Sequence, residues 1–326
     1  MAKASYKMIK EIKEQPQVVK KIIAKHIKGK KIIFSEFKDL AGDLSKIKRF
    51  IFLGCGTSYH AALYGNLVFE EITKLNCEVE FADEFNKRNP VIEPNTAIVI
   101  LSQSGETAEA IKAAKIAKSK KVLLISITNN KKSKLAKLSD VNINQEAGEE
   151  VAVPATKTFS SQLLILVLLA LSIKQNKKGD NTKVINELKK LPALIKKVIA
   201  GEKTIKEAVA SLKDQKDIIV LGNKYNYPIA LESALKLKEA ANVFAEGMAT
   251  EEFVHGPKAL SDKICLIKIN RLSLDICKKK IAVPQTSEIL QPILLVILLQ
   301  LLAFYLAMRK GINVDKPRNI KKFVAK

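Results

Sequence analysis

Residues 102–107, Ser-Gln-Ser-Gly-Glu-Thr, gather hydroxyls, an amide and a glycine into one short turn. A brief apolar run, Ala97 to Leu101, precedes them, and a helical pattern starts straight after. Such a turn aims backbone N–H groups and side-chain donors at one point, and the helix dipole makes that point positive. Its natural guest is an anion. No GxGxxG stands here and no lysine follows the glycine, so neither the dinucleotide fingerprint nor the P-loop fits. Neutral donors of this kind suit a phosphate monoester. A plainer description also fits, in which Ser104 and Thr107 only cap the helix.

A second turn of the same type, Gly54-Cys55-Gly56-Thr57-Ser58, ends the strand-like run Arg49 to Leu53 and opens a helix near Tyr59. Two such turns in succession place the C-terminal ends of parallel strands along one crevice. Cys77 to Phe81, Lys121 to Thr128 and Asp140 to Asn144 read as further strands, and Pro154 opens a long apolar helix running to about Ile173. This alternation predicts a parallel, three-layer, flavodoxin-like α/β sandwich. The polar stretch 174–182 marks a boundary. Beyond it, Asp217 to Leu221 runs into Gly222-Asn223 and a helix begins near Pro228, repeating the first half's pattern. The expected organisation is a surface-lying helical arm over 1–30, one α/β domain over 31–175 and a second over 183–326.

The chain has 326 residues, 47% of them hydrophobic and 27% charged, enough to bury a large core. Its net charge of +23 comes mainly from lysines dispersed along the chain, without the clustering and aromatic interleaving of a nucleic-acid binder. They read as solvated helix faces whose field also attracts an anionic substrate. Four cysteines without CxxC spacing and three histidines assemble no zinc set. They read as reduced, buried thiols of a cytoplasmic protein. The N-terminal text lacks a signal-peptide apolar region. Ile289 to Met308 has the length of a membrane span, but Gln291, Pro292 and Gln300 interrupt it, and a buried helix is expected instead.

Five strings, CGTSYHA at 55, SQSGETAEA at 102, ALESALKLKEAANVFAE at 230, EEFVHGPKAL at 251 and DKPRNIKK at 315, together resemble the isomerase half of glucosamine-6-phosphate synthases. That half is built of two sugar-isomerase (SIS) domains, and the resemblance runs through nearly the whole chain in the same order. It implies two SIS domains, the second shortened by about one strand-helix unit after His255. No glutaminase domain precedes the match and no cysteine nucleophile follows Met1, so glutamine hydrolysis is not expected of this chain.

The resemblance implies a phosphate site at Ser58, Ser102, Gln103, Ser104 and Thr107, the position argued above from the turn itself. Val153 and Thr57 would lie beside the sugar, although Pro154-Ala155 replaces the Ala-Ser usual in that loop. Glu239 would carry the proton between C1 and C2 of an open-chain sugar. Lys236, on the same helix face, would hold that carboxylate ionised and stabilise the enediol oxygen. Without the motif, the pair would read as an ordinary surface ion pair. His255 would open the sugar ring, reaching the site from the neighbouring subunit of a homodimer. Lys322 would contact the sugar and form an imine with its carbonyl; Lys321 replaces the small residue usual beside it. No metal and no organic cofactor is implied, nor any nucleic-acid or membrane partner. Three functions follow as alternatives: synthesis of glucosamine 6-phosphate from fructose 6-phosphate with free or partner-supplied ammonia, a separate glutaminase subunit being the possible partner; the reverse deamination; or non-catalytic phosphosugar sensing.

Overall fold

Arg49–Gly54 (β1) sends Phe50 and Phe52 to one face and Ile51 and Leu53 to the other, and all four are buried. Burial on both faces belongs to a strand inside a helix-covered parallel sheet. The computed structural model describes residues 6–38, 40–277, 279–320 and 322, and divides into two compact units. Lys321 and the tail beyond Lys322, expected to cover substrate, lie outside the described residues.

One unit contains Val18–Gly148 and Ser161–Lys189. Its sheet consists of β1 with Asn76–Phe81 (β2), Thr96–Ser102 (β3), Leu123–Thr128 (β4) and Val141–Asn144 (β5). All pairings are parallel, in the order β2-β1-β3-β4-β5. This is the flavodoxin-like order, and the direction of winding reverses between β1 and β3. Helix Lys7–His26 (α1) belongs to this unit from Val18 onward. Thr57–Thr73 (α2) covers one sheet face, where Phe69 meets Phe50 and Phe52 edge-on at 5.1 and 4.8 Å. Ala108–Ser119 (α3) covers the other, laying Ala110, Ala113, Ala114 and Ala117 on Ile51, Leu53, Ile98 and Ile100. Helices on opposite faces after β1 and β3 leave the crevice between their N-termini. Lys157–Asn176 (α4) joins the unit from Ser161.

The other unit contains Glu149–Ser160 and Lys190–Lys322 with the N-terminal segment through Gln17. Met8 and Ile12 are fully buried there, as Val19 and Ile22 are in the first unit. The expected surface arm is therefore an integral helix, and the polar stretch 174–182 falls within the first unit. In the second sheet Asp217–Gly222 (β6) lies parallel between Phe244–Ala249 (β7) and Cys265–Ile269 (β8). Ser273–Ile276 (β9) and Lys279–Ala282 (β10) then run antiparallel, giving the order β10-β9-β8-β6-β7. The all-parallel sheet expected here thus holds for three strands. The connection from Ile269 to Ser273 is too short for a crossover helix, so the chain can only return antiparallel.

That return corrects the reading of the cysteines. Antiparallel register brings Cys277 beside the start of β8, where it forms a disulfide with Cys265 at a Cα separation of 5.9 Å. Parallel strands would have kept the two thiols apart. Cys55 and Cys77 are free thiols, and burial pushes them up to about 11 and about 12, far from a nucleophile's range.

Helix Tyr227–Ala241 (α5) packs on β6 and β7. A Cβ on Gly247 would stand 2.5 Å from the Leu231 backbone, so this glycine lets α5 settle directly on β7. Gln291–Arg309 (α6) packs on α5. By length and composition α4 and α6 could each cross a membrane, yet 83% and 89% of their most apolar windows are buried inside the protein. The polar interruption of α6 has a use there: Gln300 Nε2 donates to the Thr156 carbonyl (3.2 Å), and its Oε1 accepts from Gln15 (2.8 Å).

Candidate active site

The two sequence-predicted turns emerge from adjacent strands, with Leu53 of β1 in register with Ile100 of β3. Thr57 opens α2 and Ser58 follows it, nearly buried. In the other turn Ser102 Oγ accepts from the Gly105 N–H at 3.0 Å and lies 3.4 Å from Thr107 Oγ1. Ser104 Oγ accepts from the Glu106 N–H at 3.1 Å. The turn is braced from behind: Asn129 N–H donates to the Gln103 carbonyl and Leu135 N–H to the Gly105 carbonyl, both at 3.1 Å. Capping explains little of this. Thr107 occupies the N-cap position of α3 but makes no side-chain bond to the helix. Its hydroxyl faces Ser102 instead, and the N-terminal amides of α3 keep their capacity for an anion.

The predicted catalytic residues lie in the other unit. Lys236 is 1% exposed at the centre of α5. Its Nζ pairs with Glu239 and stands 3.3 Å from Glu232 Oε1. Burial alone would push this ammonium's pKa down, but the carboxylates of Glu232 and Glu239 outweigh it and hold the pKa above the ordinary lysine value. The group is therefore a buried cation clasped by two acids of its own helix rather than a surface ion pair. The two acids differ in access, Glu232 being 0% and Glu239 20% exposed at the side chain. Of the two, Glu239 is the one that reaches solvent.

Sequence reasoning missed Glu232, although its spacing of four from Lys236 puts both on one helical face. It also missed Glu150. That carboxylate is fully buried and accepts from Thr156 N–H (2.9 Å), Thr158 N–H (3.1 Å) and Thr158 Oγ1 (2.7 Å). Lys322 Nζ donates to Glu150 Oε2 at 2.7 Å and to the Ala152 carbonyl at 2.6 Å, next to Val153. Burial acts to raise the Glu150 carboxyl, but Lys322 and these donors prevail and hold it below the usual glutamate range. Glu11 fixes the same loop from α1, accepting from the Val151 and Ala152 N–H groups at 2.6 and 3.3 Å. His255 ends a short 3-10 turn, Glu252–His255, with its ring exposed.

The first unit thus carries a hydroxyl-rich turn at a flavodoxin-type switch point, and the second unit repeats the strand-turn-helix order. The SIS-domain family profile matches residues 43–172 and 211–270, more than half of the chain. This chain belongs to the SIS-domain family. A glutamine–fructose-6-phosphate aminotransferase [isomerizing] of Buchnera aphidicola is 38% identical over 97% of this chain. The chain spans 58% of that relative's length. Among solved structures, the C-terminal domain of glucosamine-fructose-6-phosphate aminotransferase from Francisella tularensis is similar at a TM-score of 0.88 and 29% identity. The match covers 96% of this SIS protein and 98% of that chain. A glucosamine-6-phosphate deaminase from Thermotoga maritima is similar at a TM-score of 0.76 and 25% identity, over 98% of this chain and 100% of that one.

Proposed function

We propose that this SIS protein is an enzyme that interconverts fructose 6-phosphate and glucosamine 6-phosphate. The observation that carries the reading is the clasped Lys236 with Glu239 as its accessible acid. Shuttling a proton between C1 and C2 needs a carboxylate beside a cation that stabilises the enediol-type oxygen. Lys236 supplies that cation next to Glu239. In the synthetic direction, ammonia adds to C2 of the open-chain ketose and water leaves. Glu239 then takes a proton from C1 and returns one to C2, which leaves an aldehyde at C1 and an amine at C2. Ser58, Ser102, Gln103, Ser104 and Thr107 hold the phosphate, with Thr57 and Val153 beside the sugar. Lys322, tethered next to Val153, contacts the sugar. His255 opens the ring, contributed across a homodimer. Ammonia comes from solution or from a separate glutaminase, and the cytoplasm is the setting of this reading.

The reverse reaction, deamination, is a second reading, favoured by the end-to-end similarity to the Thermotoga deaminase. Proton NMR decides between them. The protein is incubated with glucosamine 6-phosphate in one tube and with fructose 6-phosphate plus ammonium in another. Turnover in either establishes the chemistry, and the ratio of rates gives the preferred direction. Silence in both, with fructose 6-phosphate bound, would leave only a sensor.

A further inference from the structure

Gln162 lies one turn into α4 and is followed by the uninterrupted apolar run Leu163 to Leu171. Its side chain is 1% exposed. Nε2 donates to Ser58 Oγ at 3.1 Å, while Oε1 is buried and meets no donor among the described residues. Both residues belong to the same compact unit.

Gln145 and Asn181 are also buried amides bonded through nitrogen alone, but both donate to backbone carbonyls, as structural ties do. Gln162 is bonded at one end, and that end is a phosphate-turn hydroxyl. The direction of the bond matters. An amide N–H can only donate, so the Ser58 oxygen must accept from it, and the Ser58 proton is turned away from Gln162. A phosphate dianion has acceptors and no donors, so a serine binds it only with its proton aimed outward. One amide thereby selects the hydroxyl orientation that an anion requires.

We propose that Gln162 is a positioning residue for phosphate recognition, orienting the Ser58 hydroxyl as a donor to the substrate's phosphate. The inference rests on the phosphosugar reading above and adds a residue to it that does not itself touch substrate.

The test uses the full chain with fructose 6-phosphate as probe, by titration calorimetry and by steady-state kinetics. Q162M removes the donor at similar volume, and affinity is expected to fall about tenfold, the worth of one oriented hydrogen bond. The loss should appear in KM rather than in kcat. Q162E keeps the shape but accepts the Ser58 proton, and is expected to weaken binding more than Q162M does. In the S58A background Q162M should add nothing, because its effect passes through that hydroxyl. Unchanged affinity in both single variants, or additive losses in the double variant, would overturn the assignment while leaving the phosphosugar reading intact. Wild-type protein that binds neither fructose 6-phosphate nor glucosamine 6-phosphate would overturn that reading and this inference with it.

Discussion

Lys322 Nζ lies 2.7 Å from a carboxylate oxygen of Glu150, a glutamate whose side chain has no exposed surface. The pair ties Lys322 to the loop that carries Val153, and Thr156 and Thr158 complete the carboxylate's shell. Glu150→Gln keeps an acceptor for some of these donors but strands a partly buried ammonium. Breaking a buried pair from one side costs on the order of 3 kcal/mol. Urea unfolding of the variant at neutral pH should show a loss near that size. A loss within the scatter of surface substitutions would mean that water serves Lys322 as well as Glu150 does.

The same carboxylate sets a pH dependence. Its folded-state pKa lies below the ordinary glutamate value, so the unfolded chain binds the proton more readily. Its stabilisation is therefore present above the unfolded value, about 4.3, and is lost as pH falls through the folded one. Glu146, which Lys21 and Lys25 pair, is shifted the same way. The gap in urea midpoint between wild type and Glu150→Gln should hold constant from pH 7 down to about pH 5 and narrow below that, toward pH 3. A gap independent of pH would show that Glu150 titrates alike in both states.

For Glu239 the expectation is a separation of chemistry from binding. Glu239→Gln retains size and hydrogen bonding but cannot accept the C1 proton, and turnover should drop by about a hundredfold or more. Affinity for fructose 6-phosphate, held at the phosphate end, should stay within about threefold, less than one hydrogen bond's worth. Equal loss of both would remove the proposed role.

How much of this was legible beforehand follows from which physical signals are local. The first sheet was, because buried parallel strands write continuous apolar runs such as Phe50 to Leu53, and their turns carry diagnostic small residues. The antiparallel β9 and β10 were not, since SLDI and KKIA are short and the decisive feature is the length of the connection before them. Lys236 and Glu239 were legible through helical spacing, but their burial was not: a Lys-Glu pair three apart looks the same on a surface. Glu232 carried a local signal that passed unread. Glu150 and Gln162 carried none, because their partners Lys322 and Ser58 lie 172 and 104 residues away in sequence.

The burial of Lys236 makes its own prediction. Lys236→Met removes the cation that Glu232, with no exposed side-chain surface, faces at 3.3 Å. The single variant should lose roughly 3–5 kcal/mol of stability by urea unfolding. Adding Glu232→Gln removes the buried negative charge that faced Lys236, so the double variant should recover part of that loss despite carrying two changes. A double variant less stable than the single one would mean that Glu232 acts through packing rather than charge.

An antiparallel hairpin replaces parallel strands at one edge of the second sheet. With Cys265 and Cys277 paired, two of the four thiols should react with a chromogenic disulfide in urea before reduction, and all four after it. The bridge closes a loop of 12 residues, for which the chain-entropy estimate is about 3 kcal/mol. C265S/C277S should therefore unfold at lower urea, while Cys55 and Cys77, in the other unit, remain slow to react in the native state because burial raises their pKa. Four reactive thiols without reductant would show that β8 and β9 stand side by side in solution without the covalent bridge. The hairpin's hydrogen bonds, Ile267 opposite Ile276, would then hold that edge of the sheet unaided.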